Sequence, residues 1–372
     1  MSSPATGALL AKTLTSPAAL GFVPVAARFH LFSILVDINK PATGEDVLAA
    51  YKATFGEADA TNPIPPVALI QDALYAMSGL GLVDLAGEDL YSANSLTRHL
   101  AESPSAVHGA THFTTEALLA GAFLMPKLKA ENFTYPFKEC ETPMQYAYKM
   151  MGKDEYVKQH TYSIMAAEGR MESFNTFMVG KFFKTRKTPD RLQSLGYDLA
   201  AVVKDAGPST STTMVDIGGG RGEMLLEIKE AFPQFQAADL IVEEFNDDLG
   251  DAAGITLISW NFKGDSPQPV RGALVYHLAH ILHNLPDLDA ALLLQKLSDA
   301  MAPHSRLLVH EFSKNVNYAF MHSSMVALYG GRERNSAEWR RMAALAGLKV
   351  TFEAYPELGE GVIEFRKKES FQ

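Results

Sequence analysis

Four glycines in five positions, within VDIGGGRGEM from Val215 onward, describe a backbone made to lie against a ligand. Gly218 and Gly220 permit a tight turn, and their missing side chains leave the peptide edge open. The dinucleotide fingerprint G-x-G-x-x-G would need a glycine where Glu223 stands. A carboxylate at a helix start repels pyrophosphate, which favours that same position. The pattern Asp216-x-Gly218-x-Gly220-x-Gly222 therefore speaks for a nucleoside without phosphates rather than NAD. Asp239, 21 residues beyond Gly218, closes the run FQAADL, where a carboxylate can accept both ribose hydroxyls. Taken alone, the same residue reads as a solvated acid at a strand end. His277, His280 and His283 stand three apart, a spacing that on a helix would gather metal ligands. The segment reads instead as a strand, ALVYHL, running into a loop, so no metal is expected.

The elements that must position these residues follow from the pattern of apolar residues. From Met214 on, strands alternate with helices: MVDIG, FQAADLI, ITLISWNF, ALVYHL and RLLVHEF as strands, with EMLLEIKEAF, AALLLQKLSDAM and SAEWRRMAALAG as helices. LKVTFEAY and GVIEFRK close the chain as a strand pair. That order predicts an α/β, doubly wound Rossmann-like sheet with an antiparallel hairpin at its end, whose first strand-to-helix turn is the nucleotide site. The first half reads as mainly helical. A helix over 67–77, stopped by Gly79 and Gly81, precedes the short runs LVDL and LYSA, separated by Ala86-Gly87-Glu88-Asp89. A helix followed by a small hairpin reads as a winged-helix module. Because 72–89 contains no lysine or arginine, a structural or dimerising use fits better than DNA binding. The stretch 112–192, rich in Met, Phe and Tyr, reads as helix-packing core with some residues available to an apolar ligand. KTRKTPDRLQ marks a boundary, giving domains 1–195 and 196–372.

Composition bounds the function. With 372 residues, 47% of them hydrophobic and 20% charged, the chain is long enough for two packed cores. A net charge of -10 argues against non-specific nucleic-acid binding. No apolar run reaches membrane-spanning length, and the N-terminal stretch lacks the pattern of a secretory signal. Cys140 is the sole cysteine, which excludes an internal disulfide and fits a reducing cytoplasm.

VDIGGGRGEMLLEI, the following ADL, PVRGALVYHLAHILHNLPD, LLVHEF and GGRERNSAEWRRMAALAGL occur in the order found in class I S-adenosylmethionine-dependent methyltransferases. More narrowly, the chain resembles the plant and fungal small-molecule O-methyltransferases, with the first half matching that family's dimerisation domain. The resemblance implies S-adenosylmethionine as cofactor, a small-molecule substrate and a homodimer. It places His283 at the catalytic-base position, with Glu311 and Glu333 as the flanking acids. A neutral imidazole can take the proton of a phenol or enol as its oxygen attacks the sulfonium methyl. Asn261, followed by Phe262, stands where the family has an adenine-facing Asp, and its carbonyl oxygen can still accept from an amine. Met178 falls where the family places a methionine beside the transfer site. Phe174, Met321, Met325 and Tyr329 are further pocket candidates.

Several positions depart from the family. Asn284 and Leu285 replace its usual Asp and Trp, so Asn284 joins the candidates at the substrate pocket. Ala279 stands in place of Lys or Arg, and His322 in place of an Asp. Two activities follow. One is O-methylation of a polyketide, phenol or pyridone-like hydroxyl. The other is that of pericyclases on the same fold, which bind S-adenosylmethionine and polarise a substrate carbonyl for an Alder-ene or Diels–Alder closure without moving the methyl. A third, non-catalytic reading as a cofactor-binding regulator is disfavoured by the filled acid and base positions.

Overall fold

The computed structural model describes residues 4–56, 63–180, 186–204, 213–245 and 254–368. Two compact units form: Met1–Lys127 with Pro143–Phe182, and Leu128–Thr142 with Phe183–Gln372. The second unit thus begins ahead of residue 196 and takes in a stretch that the sequence reading left in the first half. Its residues explain why. Thr142 donates to the carbonyl of Leu328 at 3.3 Å, and Glu139 pairs with Lys263.

In the first unit, side chains set the helix starts. Thr43 and Asp46 satisfy each other's backbone amides at the head of Gly44–Phe55, and Asn94 and Thr97 do the same for Ser95–Glu102. The apolar run expected over 67–77 forms Val67–Leu80, which Gly81 stops in the left-handed conformation. A hairpin follows, β1 (Asp84–Gly87) antiparallel to β2 (Leu90–Ser92). Leu35, Ile70, Leu74, Met77 and Tyr91 lie at the centre of this unit's larger core. Farther on, the helix Pro104–His112 passes into one π-helical segment, Phe113–Ala117, before Leu118–Ala122. Such a segment widens the turn and re-aims its side chains. Phe174 and Phe177 of the helix Met171–Gly180 pack with Met165, and Met178 lies against them.

The second unit is built on seven strands: β3 (Met214–Ile217), β4 (Leu240–Glu244), β5 (Thr256–Ser259), β6 (Val275–Ala279), β7 (Arg306–Glu311), β8 (Leu348–Ala354) and β9 (Gly361–Lys367). Their order across the sheet is β5-β4-β3-β6-β7-β9-β8, with β3 to β7 parallel and β9 antiparallel to both of its neighbours. This is the doubly wound sheet with a terminal hairpin that the strand–helix alternation implies. Both faces are covered, as parallel strands require: Val215, Tyr276, Leu307 and Val309 pack on one side, Met214, Val275 and Leu308 on the other. One strand is displaced from its expected place. FQAADLI does not form it; residues Ala237–Asp239 make a 3-10 turn and β4 starts only at Leu240. Among the described residues, no helix is long and apolar enough to cross a membrane.

Candidate active site

In a sheet of this order ligands sit beyond the carboxyl ends of the strands, where the winding reverses, here between β3 and β6. Both of the clusters singled out in the sequence lie at that edge. After β3 the chain turns through Gly218, Gly220 and Gly222, whose φ angles of 67°, 59° and 80° fall in the left-handed region. The Gly218 amide donates to the Glu243 carbonyl at 2.7 Å. A Cβ on Gly220 would meet nothing within 4 Å, so its backbone borders open space. Gly222 has another task. A Cβ there would run into Ile255 and Val242, so this glycine lets the helix Glu223–Ala231 seat on the sheet.

Asp239 is not where a ribose contact needs it. It precedes β4, and its carboxylate caps the Gln236 amide at 2.8 Å. Because β3 and β4 are parallel, with Met214 beside Leu240 and Ile217 beside Glu243, Asp239 lies at the end of the sheet opposite the glycine turn. Glu243 and Glu244 stand at the glycine-turn end of β4, and Glu244 Oε2 accepts from the Gly220 amide at 3.2 Å. The signal was legible: in LIVEE a charged pair ends a buried apolar run. Asn261 and Phe262 follow β5 at the same edge, with Asn261 exposed and its Oδ1 accepting from Lys263 N at 3.1 Å. Asp216 is buried, and its Oδ1 lies 2.6 Å from His277 Nδ1.

After β6 a 3-10 turn, Leu282–Asn284, carries His283. Three residues far away in sequence hold it. Glu311, the last residue of β7, accepts the amides of Leu282 (2.9 Å) and His283 (3.2 Å) on one oxygen. Glu333 Oε1 lies 2.9 Å from His283 Nδ1, and Glu311 Oε2 lies 3.5 Å from the same nitrogen. Arg334, fully buried, donates to the carbonyls of Leu282 (2.6 Å) and Leu285 (2.8 Å) and to Asp287. Sequence reasoning passed over Arg334, although an arginine beside the acid of GGRERN was its sign. Gly331 must be glycine for a steric reason: a Cβ would stand 2.1 Å from the His283 carbonyl oxygen.

Electrostatics at His283 are decided by two buried carboxylates. Burial opposes the imidazolium, but Glu311 and then Glu333 outweigh it and raise the histidine to about 9. Burial likewise raises Glu311, against the pull of His283. Oε2 of each acid is buried without a hydrogen-bond partner among the described residues.

Of the other two histidines, His280 stands beside His283, their ring centroids 5.2 Å apart, while His277 is engaged elsewhere. His277, on β6, bridges Asp216 and His310, 2.9 Å away. His280 Nε2 contacts Glu360 at 2.5 Å, and Glu360 in turn pairs with Arg191. His280, His283 and Glu311 nevertheless place one potential ligand atom each within 4.8 Å of one another. Asn284 donates to the His280 carbonyl at 3.1 Å, while Leu285 is buried in the sheet's core. Met321, Met325 and Tyr329 recur at helical spacing along Ala319–Tyr329, a helix that packs on the 282–284 turn; Met325 and Tyr329 are buried and Met321 half-buried. Phe174 and Met178 belong to the first unit's aromatic cluster.

The family model of the O-methyltransferase domain matches residues 199–349. The chain is 49% identical over 366 residues to O-methyltransferase bfoE of Aspergillus brasiliensis, covering 98% of this chain and 97% of that one. It is 48% identical over 375 residues to O-methyltransferase aunE of Aspergillus niger, covering 98% and 97%. Among solved structures, LepI in complex with SAM superimposes with a TM-score of 0.77 at 19% identity, covering 99% of this chain and 90% of that one. The mitomycin 7-O-methyltransferase MmcR does so with a TM-score of 0.69 at 20% identity, covering 98% of each. At that identity the structures speak for the fold, whereas the Aspergillus relatives match nearly end to end. The chain belongs to the S-adenosylmethionine-dependent O-methyltransferases of the fungal small-molecule type.

Proposed function

We propose that this protein methylates a hydroxyl of a small, largely apolar secondary metabolite (a polyketide, phenol or pyridone-like molecule), with His283 as general base. The observation that carries this reading is the His283–Glu333 pair of 2.9 Å, set on a turn held by Glu311 and Arg334. Glu333 fixes which ring nitrogen faces away from the substrate and stabilises the imidazolium that forms when the acceptor's proton arrives. Glu311 and Arg334 hold the turn by its amides and carbonyls, so the base is placed before substrate binds. Met321, Met325 and Tyr329, on the helix behind the turn, would wall the acceptor, and Phe174 and Met178 are proposed for the same task in their own unit.

The cofactor's requirements fit the residues present. The open backbone at Gly220 leaves room that a side chain would fill, and Glu244 stands at the strand end that a ribose contact requires. We assign Glu244 to the ribose in place of Asp239, with Asp216, Gly218 and Gly220 lining the site and Asn261 and Phe262 at the adenine. S-adenosylmethionine supplies an electrophilic methyl on a sulfonium. The exposed Leu9, Leu10 and Leu14 of the helix Pro4–Leu20, and the hairpin that follows Val67–Leu80, support a homodimer formed through a winged-helix-like N-terminal part. The single cysteine supports a cytoplasmic setting.

A second reading has one observation in its favour. A histidine raised to about 9 is mostly imidazolium at neutral pH, and an imidazolium can donate to a carbonyl and promote a pericyclic closure without removing a proton. Incubating the protein with S-adenosylmethionine carrying a deuterated methyl, and with extract of cells lacking this gene, separates the two. A product heavier by one labelled methyl, with S-adenosylhomocysteine formed, is the expected result. A new product of unchanged mass with the cofactor intact would replace methyl transfer by the pericyclic reaction.

A further inference from the structure

The first unit contains a second buried histidine–carboxylate pair that the proposed chemistry does not use. His112 and Glu116 stand one turn apart where the helix passes into its π segment, with His112 Nδ1 3.1 Å from Glu116 Oε2. Arg170 pairs with both Glu116 and Glu168, and it donates to the Tyr148 hydroxyl at 2.8 Å. His112, Glu116 and Arg170 border a cavity of about 70 Å³, lined also by Ser173, Met165 and Phe174. A water molecule needs about 10–15 Å³ by the same measure, so the space takes the edge of a ring rather than a lone solvent molecule.

Its polar atoms are matched to one kind of guest. With Nδ1 committed to Glu116, Nε2 is the ring nitrogen left to a ligand, and a neutral ring bonded in this way offers it as an acceptor. The Arg170 Nε–H is buried without a hydrogen-bond partner among the described residues, and it is a donor. One acceptor beside one donor is the complement of a hydroxyl. A charged guest is disfavoured, because the two carboxylates Glu116 and Glu168 are already balanced by Arg170 and Lys153. The walls are aromatic: Phe174 meets the His112 ring edge-on at 5.0 Å.

We propose that this cavity is a recognition site for a hydroxyl on a planar aromatic ligand, with the hydroxyl donating to His112 Nε2 and accepting from Arg170 Nε. It rests on the reading above that the protein handles hydroxylated rings, and it places one hydroxyl of such a ring within the first unit. The site is lined by residues of the first unit only.

The test uses the full chain loaded with S-adenosylhomocysteine, with naphthoresorcinol and naphthol as probes that differ by one hydroxyl, and calorimetric Kd values. The wild-type protein should bind the diol about tenfold more tightly or better, as expected when a site built to bond a hydroxyl meets an analogue lacking it. His112→Phe keeps a ring and removes the acceptor, so the ratio should fall to about one. His112→Gln restores an acceptor near the position of Nε2 and should recover part of the ratio. Arg170→Lys keeps the charge and loses the Nε–H, and it should cut the same ratio should the phenylalanine variant not fold. A wild-type ratio near one, or a ratio that survives both His112→Phe and Arg170→Lys, overturns the proposal. Methyl transfer is followed separately: a ratio that behaves as stated in a protein that moves no methyl supports this site while removing the proposed reaction.

Discussion

His283 and His112 are both more than nine-tenths buried, and each presents Nδ1 to a carboxylate, at 2.9 Å from Glu333 and 3.1 Å from Glu116. They differ in what else the carboxylate touches. Glu116 shares its charge with Arg170 and with the Thr115 hydroxyl, and although burial opposes its ionisation these partners and His112 hold it below the ordinary carboxylate range. Around His283, Arg334 is bonded to Asp287 and to backbone carbonyls, and its pull on the imidazole is smaller than that of the two acids. The same pair of side chains therefore stands among two buried acids in one unit and beside a shared arginine in the other.

The largest effect that tests this contrast is at the base. His283→Ala should lower kcat by about a hundredfold to ten-thousandfold while S-adenosylmethionine still binds, as judged by titration calorimetry. Retention of full activity would remove the base role. The pH profile comes next. Because His283 loses its proton only near 9, kcat/KM should climb about tenfold per pH unit from neutrality and level off near that value. Stability should run the other way. A raised histidine stabilises the fold fully below its ordinary value near 6.5 and loses that contribution as pH rises through about 9, so denaturant midpoints should fall where activity is highest. Glu333→Gln should move the inflection of the rate profile to lower pH, whereas His112→Phe should leave it in place. An inflection shifted by His112→Phe would mean that the two pairs are not independent.

Smaller effects concern the packing behind each pair. Gly331→Ala puts a methyl against the His283 carbonyl and should cost about 1–3 kcal/mol, read from chemical denaturation. Glu116→Gln leaves Arg170 short of a partner and should cost about 1–3 kcal/mol at neutral pH. That difference should vanish as acid titrates the wild type, because a depressed carboxylate stabilises above its unfolded value and ceases to do so as pH falls through its folded one. A cost that persists in acid would point to shape rather than charge.

How much of this was legible varied with how local the signal is. The strand alternation and the helix stop at Gly81 are written in neighbouring residues, and apart from FQAADLI the structure follows them. The acid beside the glycine turn was misassigned because a strand's ends are poorly marked by an apolar run. FQAADL looked like a strand ending in Asp239, while the chain uses LIVEE, and only the parallel register with β3 reveals which acid faces Gly220. The His283 site was found through family resemblance rather than spacing, since Glu311 and Glu333 reach it across the fold. Nothing local announced Arg170 as the partner of Glu116. His112 itself lay in a stretch whose Met, Phe and Tyr residues read as ordinary core, and most of them are. The joining of 128–142 to the second unit rests on contacts distant in sequence, such as Thr142 with Leu328, that no window of residues displays.

The hold of Arg334 on the 282–285 turn has a consequence for variation. Its guanidinium grips carbonyl oxygens of Leu282 and Leu285, and Glu311 grips amides, so these two residues fasten the turn through main-chain atoms. Main-chain handles are the same whatever side chain they carry. The residues after His283 can thus be exchanged, as Asn284 and Leu285 have been relative to the family's habit, without letting go of the imidazole. Of the two, Leu285 answers to the core it packs in, and Asn284 to the His280 carbonyl it bonds.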